Sequence, residues 1–429
     1  MLPALIRLAA ATAALALPAA AVAANDPLRP DQPNLNLVES DGARANSSTG
    51  KGAIVAIIDT GVKRSHPDLQ GGRLLAGYDF VENDGDPQDE VDGHGTHVLG
   101  IVGAAEGNGI GVSSVAPGAR LLPVRVLDND GAGYTSDVAR GIDYAVEQGA
   151  HVINLSLGSD LPLLGLLSDG EYDSAIRRAL DAGRVVVASS GNNGTPVCEQ
   201  PSASEGLLCV GSVDNGGARS SFSSFGGGRG IMAPGEDVLS TFRDNGFTRI
   251  SGTSQAAPHV AGVAALLVAK GLRGQEVVNQ LLATARDAGA SGPDSQYGAG
   301  IVNARQAVAG FPPDGVAGPR PGAPAGSSAR IKLRSPDRIR TILRRGIRVR
   351  CRAAGSGRCR VSASRKGRRL AAGSKKVTIG RSAVAVAKLN RRGRKLLRSA
   401  LCRRKRITLR VRVTLPGSKP LVRKLRLRP

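Results

Sequence analysis

The sequence predicts a three-layer, mostly parallel α/β sheet, followed by a small all-β, sandwich-like C-terminal domain. Continuous apolar runs of strand length, such as Ala53 to Ile58, alternate with segments of helical periodicity, such as Thr135 to Gln148. Strands apolar on both faces belong in a sheet covered by helices on both sides. From Ile347 onward the pattern changes to an alternation of apolar and polar residues, the mark of half-buried antiparallel strands. Charge changes in the same region. Arg330 to Pro429 carries 36 Lys and Arg against one acid, Asp337, a net of +35, whereas the first 329 residues carry 22 basic and 34 acidic residues, a net of −12. Two differently charged domains follow.

In chain order, residues 1–24 read as a secretory signal: Arg7, an Ala/Leu-rich run from Leu8, then Ala21, Val22 and Ala23 as a small-residue cleavage site. The run is short and mostly alanine, which argues against a membrane-spanning helix. Asn25 to Gly50, with Pro27, Pro30 and Pro33, reads as an extended arm. Strands are predicted at Ala53–Ile58, Arg120–Leu127, His151–Ser156, Arg184–Ser190 and Leu207–Val213. Helices are predicted at Gly93–Ala105, Thr135–Gln148, Ser174–Ala182, Ser254–Lys270 and Gln275–Ala288. The first domain thus covers residues 25–310. Residues 311–329, rich in Pro, Gly and Ala, read as a linker, and residues 330–429 form the basic β-rich domain with one short basic helix at Asn390–Leu401. The five cysteines fit an oxidising destination: Cys198 and Cys209 bracket one loop, Cys351 and Cys359 another, and Cys402 is left over. No C-x-x-C spacing occurs, which argues against a zinc ribbon.

Chemistry concentrates in four short segments. Asp59 ends the first apolar strand, His94 opens a helix, Asn192 follows a strand, and Ser254 lies in a Gly-Thr-Ser turn that feeds the apolar helix to Val268. A helix start offers unpaired N–H groups and a dipole that favour developing negative charge. A serine there becomes a nucleophile if a histidine takes its proton, a carboxylate orients the imidazole and an amide donates to the tetrahedral oxyanion. Taken singly, each segment is an ordinary turn. Together, in the order Asp, His, Ser, they form the set that such a nucleophile needs. Ser254 is not in a Gly-x-Ser-x-Gly elbow, because Ala256 stands where the last glycine would be, and this argues against a lipase or esterase.

These motifs resemble the subtilisin-like serine proteases (subtilases, peptidase family S8) over roughly Asp26 to Gly310. The resemblance rests on Asp59-Thr-Gly-Val, His94-Gly-Thr-His-Val, Asn154-Leu-Ser-Leu-Gly158, Ser190-Gly-Asn192, Ala233-Pro-Gly235 and Gly252-Thr-Ser254-x-Ala-x-Pro-His. It implies a serine endopeptidase working through an acyl-enzyme, with Asp59, His94 and Ser254 as the triad and Asn192 as oxyanion donor. Ser156, Leu157 and Gly158 are implied as the segment that pairs with substrate backbone, and large apolar residues as the preferred ones before the scissile bond. It also implies structural Ca²⁺, on oxygens of Asp68, Asn108, Ile110 and Val112, donors that suit a hard cation. The acidic stretch Glu82 to Glu90 reads as a solvated loop, and His66, His97 and His259 as structural. Gln255 stands where Met is frequent in the family, which removes a target for sulfoxide formation. Few residues precede the catalytic domain, and no folded inhibitory propeptide of the kind usual in secreted subtilases is expected among them.

The basic domain suits anionic cell-wall polymers or lipid headgroups outside the cell. Nucleic acid is disfavoured, since no Phe, Tyr or Trp occurs from Arg330 onward to stack on bases. The expected protein is secreted or cell-surface associated, acting on protein or peptide substrates.

Overall fold

The computed structural model describes residues 25–158, 171–226, 230–314, 330–333, 339, 342–343, 347–352, 357–365, 368–377, 382–415 and 418–429. The expected signal and most of the expected linker lie outside them. The chain divides into two compact units, Met1–Pro321 and Gly322–Pro429.

Unit 1 is built on β1 (Ile54–Asp59), β2 (Tyr78–Asp79), β3 (Arg120–Arg125), β4 (Val152–Leu155), β5 (Val185–Ser189), β6 (Leu208–Val213) and β7 (Gly230–Pro234). They form one parallel seven-stranded sheet in the order β2-β3-β1-β4-β5-β6-β7. Its helices are α1 (Pro33–Leu37), α2 (Ser40–Ala45), α3 (His94–Gly103), α4 (Thr135–Glu147), α5 (Glu171–Asp181), α6 (Thr253–Ala269), α7 (Gln275–Ala283) and α8 (Ala304–Val308). A hairpin of β8 (Val238–Thr241) and β9 (Phe247–Ile250) completes it.

Strand residues alternate between two buried faces, which is why the strands read as unbroken apolar runs. Val55, Ile57, Val152 and Val187 join α3, α6 and α7 in one core. Ala56, Ile58, Ile153 and Val186 join α4 and α5 in the other. The chain departs to opposite sides of β1, so the C-terminal end of β1 lies at a topological switch point, where open α/β sheets carry their sites.

Two expectations need correction. The N-terminal arm is not extended: it forms α1 and α2 and is pinned by Gln32, whose amide accepts from the Ser113 N–H (2.8 Å) and donates to the Ser113 carbonyl (3.0 Å). At the other end, the chain stays packed beyond residue 310. Phe311 is buried, and the Asp314 carboxylate accepts from the Thr49 amide (2.8 Å) and pairs with buried Lys270 (2.8 Å).

Unit 2 contains β10 (Arg330–Leu333), β11 (Ile347–Arg352), β12 (Gly357–Arg365), β13 (Arg368–Val377), β14 (Ser382–Leu389), helix α9 (Arg391–Cys402), β15 (Ile407–Leu415) and β16 (Ser418–Leu427). The antiparallel order is β10-β11-β14-β13-β12-β15-β16. β14 gives six register pairs to β11 and only two to β13, so it joins two groups of strands. Along β15, Ile407, Leu409, Val411 and Val413 point inward while Thr408, Arg410, Arg412 and Thr414 are exposed. Leu397 and Ala400 of α9 cover the same core.

Candidate active site

The end of β1 delivers Asp59, fully buried, with Oδ1 accepting from the Thr60 amide (2.8 Å) and lying 2.7 Å from His94 Nδ1. The acceptor on that side fixes the proton on Nδ1 and leaves Nε2 as the basic nitrogen. His94 opens α3 because Gly95 lets the helix press against the chain: a Cβ there would lie 2.2 Å from the Gly61 carbonyl oxygen. Burial alone would lower the His94 pKa, but Asp59, by charge and hydrogen bond, with Asp92 and Asp89, raises it above the ordinary 6.5.

Glu82 to Asp86 and Glu90 are exposed, as expected of a solvated loop, but Asp89 departs from that reading. It is buried, its Oδ2 accepting from Thr60 Oγ1 (2.6 Å) and the Gly93 amide (2.8 Å). Thr60 Oγ1 in turn accepts from the Gly95 amide (2.9 Å). One carboxylate thus fixes the neighbours of both Asp59 and His94. The Asp89-Glu-Val-Asp-Gly93 spacing before His94, typical of a carboxylate capping downstream amides, was the available signal.

Ser254 is the second residue of α6. Pro258 lies four residues on and has no N–H, so the Ser254 carbonyl loses its helical partner. Ser156 Oγ donates to that carbonyl instead (2.7 Å), itself accepting from Asn154 Nδ2 (2.9 Å). The Ser254 hydroxyl donates to the Ser156 carbonyl (3.3 Å) rather than to His94; catalytic hydrogen bonds are often loose before substrate binds. Asn192 Oδ1 accepts from both the amide and the hydroxyl of Thr253 (2.9 Å each). This pins the side chain and leaves Nδ2 free, 3.6 Å from where a Cβ on Gly252 would stand.

The Subtilase family model matches residues 50–300. The chain belongs to the subtilase family. It is 43% identical over 257 residues to a thermophilic serine proteinase of Bacillus sp. (strain AK1), covering 60% of this chain and 62% of that protein. With thermitase of Thermoactinomyces vulgaris it shares 42% identity over 259 residues, 60% of this chain and 89% of thermitase. Among solved structures, a protease from Pseudoalteromonas arctica PAMC 21717 superposes with a TM-score of 0.61 at 33% identity, covering 67% of this chain and 98% of that one. The protein is a subtilisin-like serine peptidase.

In this subtilase, His94 and Thr60 share an open cleft of about 490 Å³ with Ser156, Leu157 and Gly158. Its other wall, Leu127 and Asp130 to Gly133, escaped the sequence reading because it matches no reactive motif. Asp128 shapes that wall, its Oδ1 accepting from the Asp130 and Ala132 amides. The other histidines are structural. Burial lowers His97 to about 3 and His259 to about 4. His259 Nδ1 donates to the Gln255 carbonyl and Nε2 accepts from Asn34, while His66 Nε2 donates to the Gly246 carbonyl.

The expected calcium residues come together. Asp68 is fully buried, and its oxygens accept from Asn108 Nδ2 and the Val112 amide, both at 2.9 Å. Asn108 Oδ1 accepts from the Ile110 amide (2.8 Å). Burial raises Asp68 to about 6, outweighing these hydrogen bonds, and the nearby charge of Asp26 adds to the rise. Asp26, also buried, is a carboxylate the sequence reading passed over; it accepts from the Gly107 and Asn108 amides. Among the described residues, no group of three or more His, Cys, Asp or Glu side chains clusters as a metal site.

One expected disulfide is present, Cys198–Cys209, with Cα atoms 6.5 Å apart. Cys359 is also disulfide-bonded and Cys402 is a free, exposed thiol, while the side chain of Cys351 lies outside the described residues.

Proposed function

We propose that the protein is a secreted serine endopeptidase that hydrolyses protein substrates through an acyl-enzyme. His94 Nε2 takes the Ser254 proton as Oγ attacks the scissile carbonyl, and Asp59 stabilises the imidazolium. Asn192 Nδ2 donates to the tetrahedral oxyanion. On collapse, His94 returns the proton to the leaving amine; water, activated the same way, releases the acid. An extended substrate adds its backbone to Ser156–Leu157–Gly158. The observation that carries this reading is the 2.7 Å His94–Asp59 contact with Asp59 fully buried, an arrangement that prepares Nε2 to accept a proton. The test is titration with a serine-directed phosphonyl fluoride. One equivalent of label is expected, together with loss of labelling and about 10⁶-fold lower kcat in Ser254→Ala, a magnitude carried over from subtilisin. A folded wild-type protein that takes no label refutes the reading.

Asp68, Asn108, Ile110 and Val112 fit Ca²⁺ in donor type: side-chain oxygens with unused lone pairs, flanked by backbone carbonyls. A bound cation would offset the charge of the buried Asp68 carboxylate. Asp68 and Asn108 would hold it with their side chains, and Ile110 and Val112 with their carbonyls. The expected result of chelation is a fall in Tm of several degrees that added Ca²⁺ reverses; a Tm indifferent to both would exclude the site.

Residues 1–24 would direct export, 25–310 would act as the catalytic domain and 311–329 as a spacer. The basic domain, 330–429, would hold the enzyme on an anionic cell-surface polymer rather than on nucleic acid. No described helix is long and apolar enough to cross a membrane. The free enzyme would be secreted or retained at the cell surface.

A further inference from the structure

We infer that Glu199 makes this peptidase select a cationic side chain, lysine or arginine, immediately before the scissile bond. The inference rests on the active-site reading above and adds a substrate class to it.

The residue before the scissile bond carries the carbonyl that Ser254 attacks and whose oxygen turns toward Asn192. Its side chain therefore enters the space between the segments flanking those groups, Ser156 to Gly158 and Ser190 to Asn192. Glu199 and Gln200 bridge these two walls. The Glu199 amide donates to the Ser190 carbonyl (2.9 Å). A Cβ placed on Gly191 would meet the Glu199 carboxyl carbon at 2.0 Å and both its oxygens at 2.3 Å. On the opposite wall, a Cβ placed on Gly158 would lie 3.4 Å from the Gln200 carbonyl oxygen. The Glu199 carboxylate thus forms the floor, beside the residue that precedes Asn192. Both walls present glycine there, so neither Gly158 nor Gly191 puts a side chain into the space above it.

Among the described residues, no cation balances the charge of this floor. Glu199 is 7% exposed, and its Oε1 accepts from two neutral donors, Asn193 Nδ2 (3.0 Å) and Ser224 Oγ (2.7 Å). Among the described residues, no Lys or Arg lies within ion-pair distance of it. Elsewhere in this unit Asp79 pairs with Arg125 at 2.7 Å and Asp314 with Lys270 at 2.8 Å, whereas buried Asp26, Asp68 and Asp89, like Glu199, are held by neutral donors. A buried charge without a counter-charge is costly, and an arriving ammonium or guanidinium would remove that cost. A large apolar side chain would cover the carboxylate and leave it unpaired. The floor is also rigid. The Glu199 carbonyl accepts from Ser202 Oγ (2.6 Å) and the Ala203 amide (2.9 Å), and Cys198 is tied to β6 by the disulfide. Little ordering remains for binding to impose.

The experiment compares kcat/KM for peptides identical except for Lys, Arg, Leu or Phe before the scissile bond. The wild type is expected to favour Lys and Arg by about tenfold or more. Glu199→Gln keeps an oxygen for Asn193 and Ser224 but removes the charge. It should lower the Lys and Arg rates by about 30-fold or more and leave the Leu rate unchanged or higher. Wild-type preference for Leu or Phe overturns the inference without any variant. A Glu199→Gln loss equal across all four peptides also overturns it, making Glu199 a positioning residue for the Asn192 loop. A wild type that cleaves none of them and takes no phosphonyl label overturns the active-site reading as well.

Discussion

Both units are built on seven-stranded sheets, yet among the described residues only unit 1 gathers reactive groups. In unit 1 all sheet strands run the same way, so their C-terminal ends share an edge, and Asp59, Ser156 and Asn192 follow three of those ends. Loops there can carry reactive groups while both faces of the sheet stay dry. In unit 2 neighbouring strands run in opposite directions, so each edge mixes strand starts and ends. What its sheet offers instead is a face: every second residue of β15 is exposed, and the basic ones are arginine. A parallel sheet concentrates chemistry at a line, and an antiparallel sheet spreads charge over a surface. The net charges of −12 and +35 follow that division.

The comparison can be pressed hardest at the line. Asn192→Ala should lower kcat by about 10²–10³ with little change in KM, a magnitude carried over from subtilisin; equal losses in both constants would mean that Asn192 holds the loop together instead. The surface is tested next. Removing residues 330–429 should abolish salt-sensitive retention on an anionic wall polymer and leave small-peptide kcat/KM within about twofold, since unit 1 has its own cores. A large loss of peptide activity would break the division of labour. The smallest effect concerns protons. His94 works as a base only when neutral, and its surroundings raise its pKa, so activity should fall on acidification through a midpoint above 6.5. Asp92→Asn removes one of the raising charges and should move that midpoint down by a few tenths of a unit. A midpoint that stays put would show that Asp92 adds nothing to what Asp59 and Asp89 set.

Unit 1 was largely legible because its signals are local. The apolar runs locate β1, β3, β4, β5 and β6 to within about two residues, and the motifs around Asp59, His94, Asn192 and Ser254 identify the chemistry. What escaped depends on contacts between distant segments. Asp89 looks like any loop acid until Thr60 and Gly93 are seen to donate to it. The arm at Asn25–Gly50 looks extended because its prolines suggest so, yet Pro33 opens α1 and Pro30 lies in a 3₁₀ turn, Arg29–Asp31, just before it, positions where a missing N–H is harmless. β7 was missed because Gly230 and Pro234 frame a short run that becomes a strand only against β6. In unit 2 the alternation located β11, β14 and β15 but not β10, β12 or β16, and alternation says nothing of which strands pair.

The proline at 258 has a consequence for the protein's own safety during biogenesis. The carbonyl it frees is taken up by a hydroxyl 98 positions earlier in the chain, so the start of α6 is finished only when β4 is in place. The side chain proposed to cut other proteins is therefore set by a long-range contact, and such contacts form late because closing the intervening loop must come first. Chains still folding at high concentration would be poor at digesting one another. Competence to cut arrives with the native state.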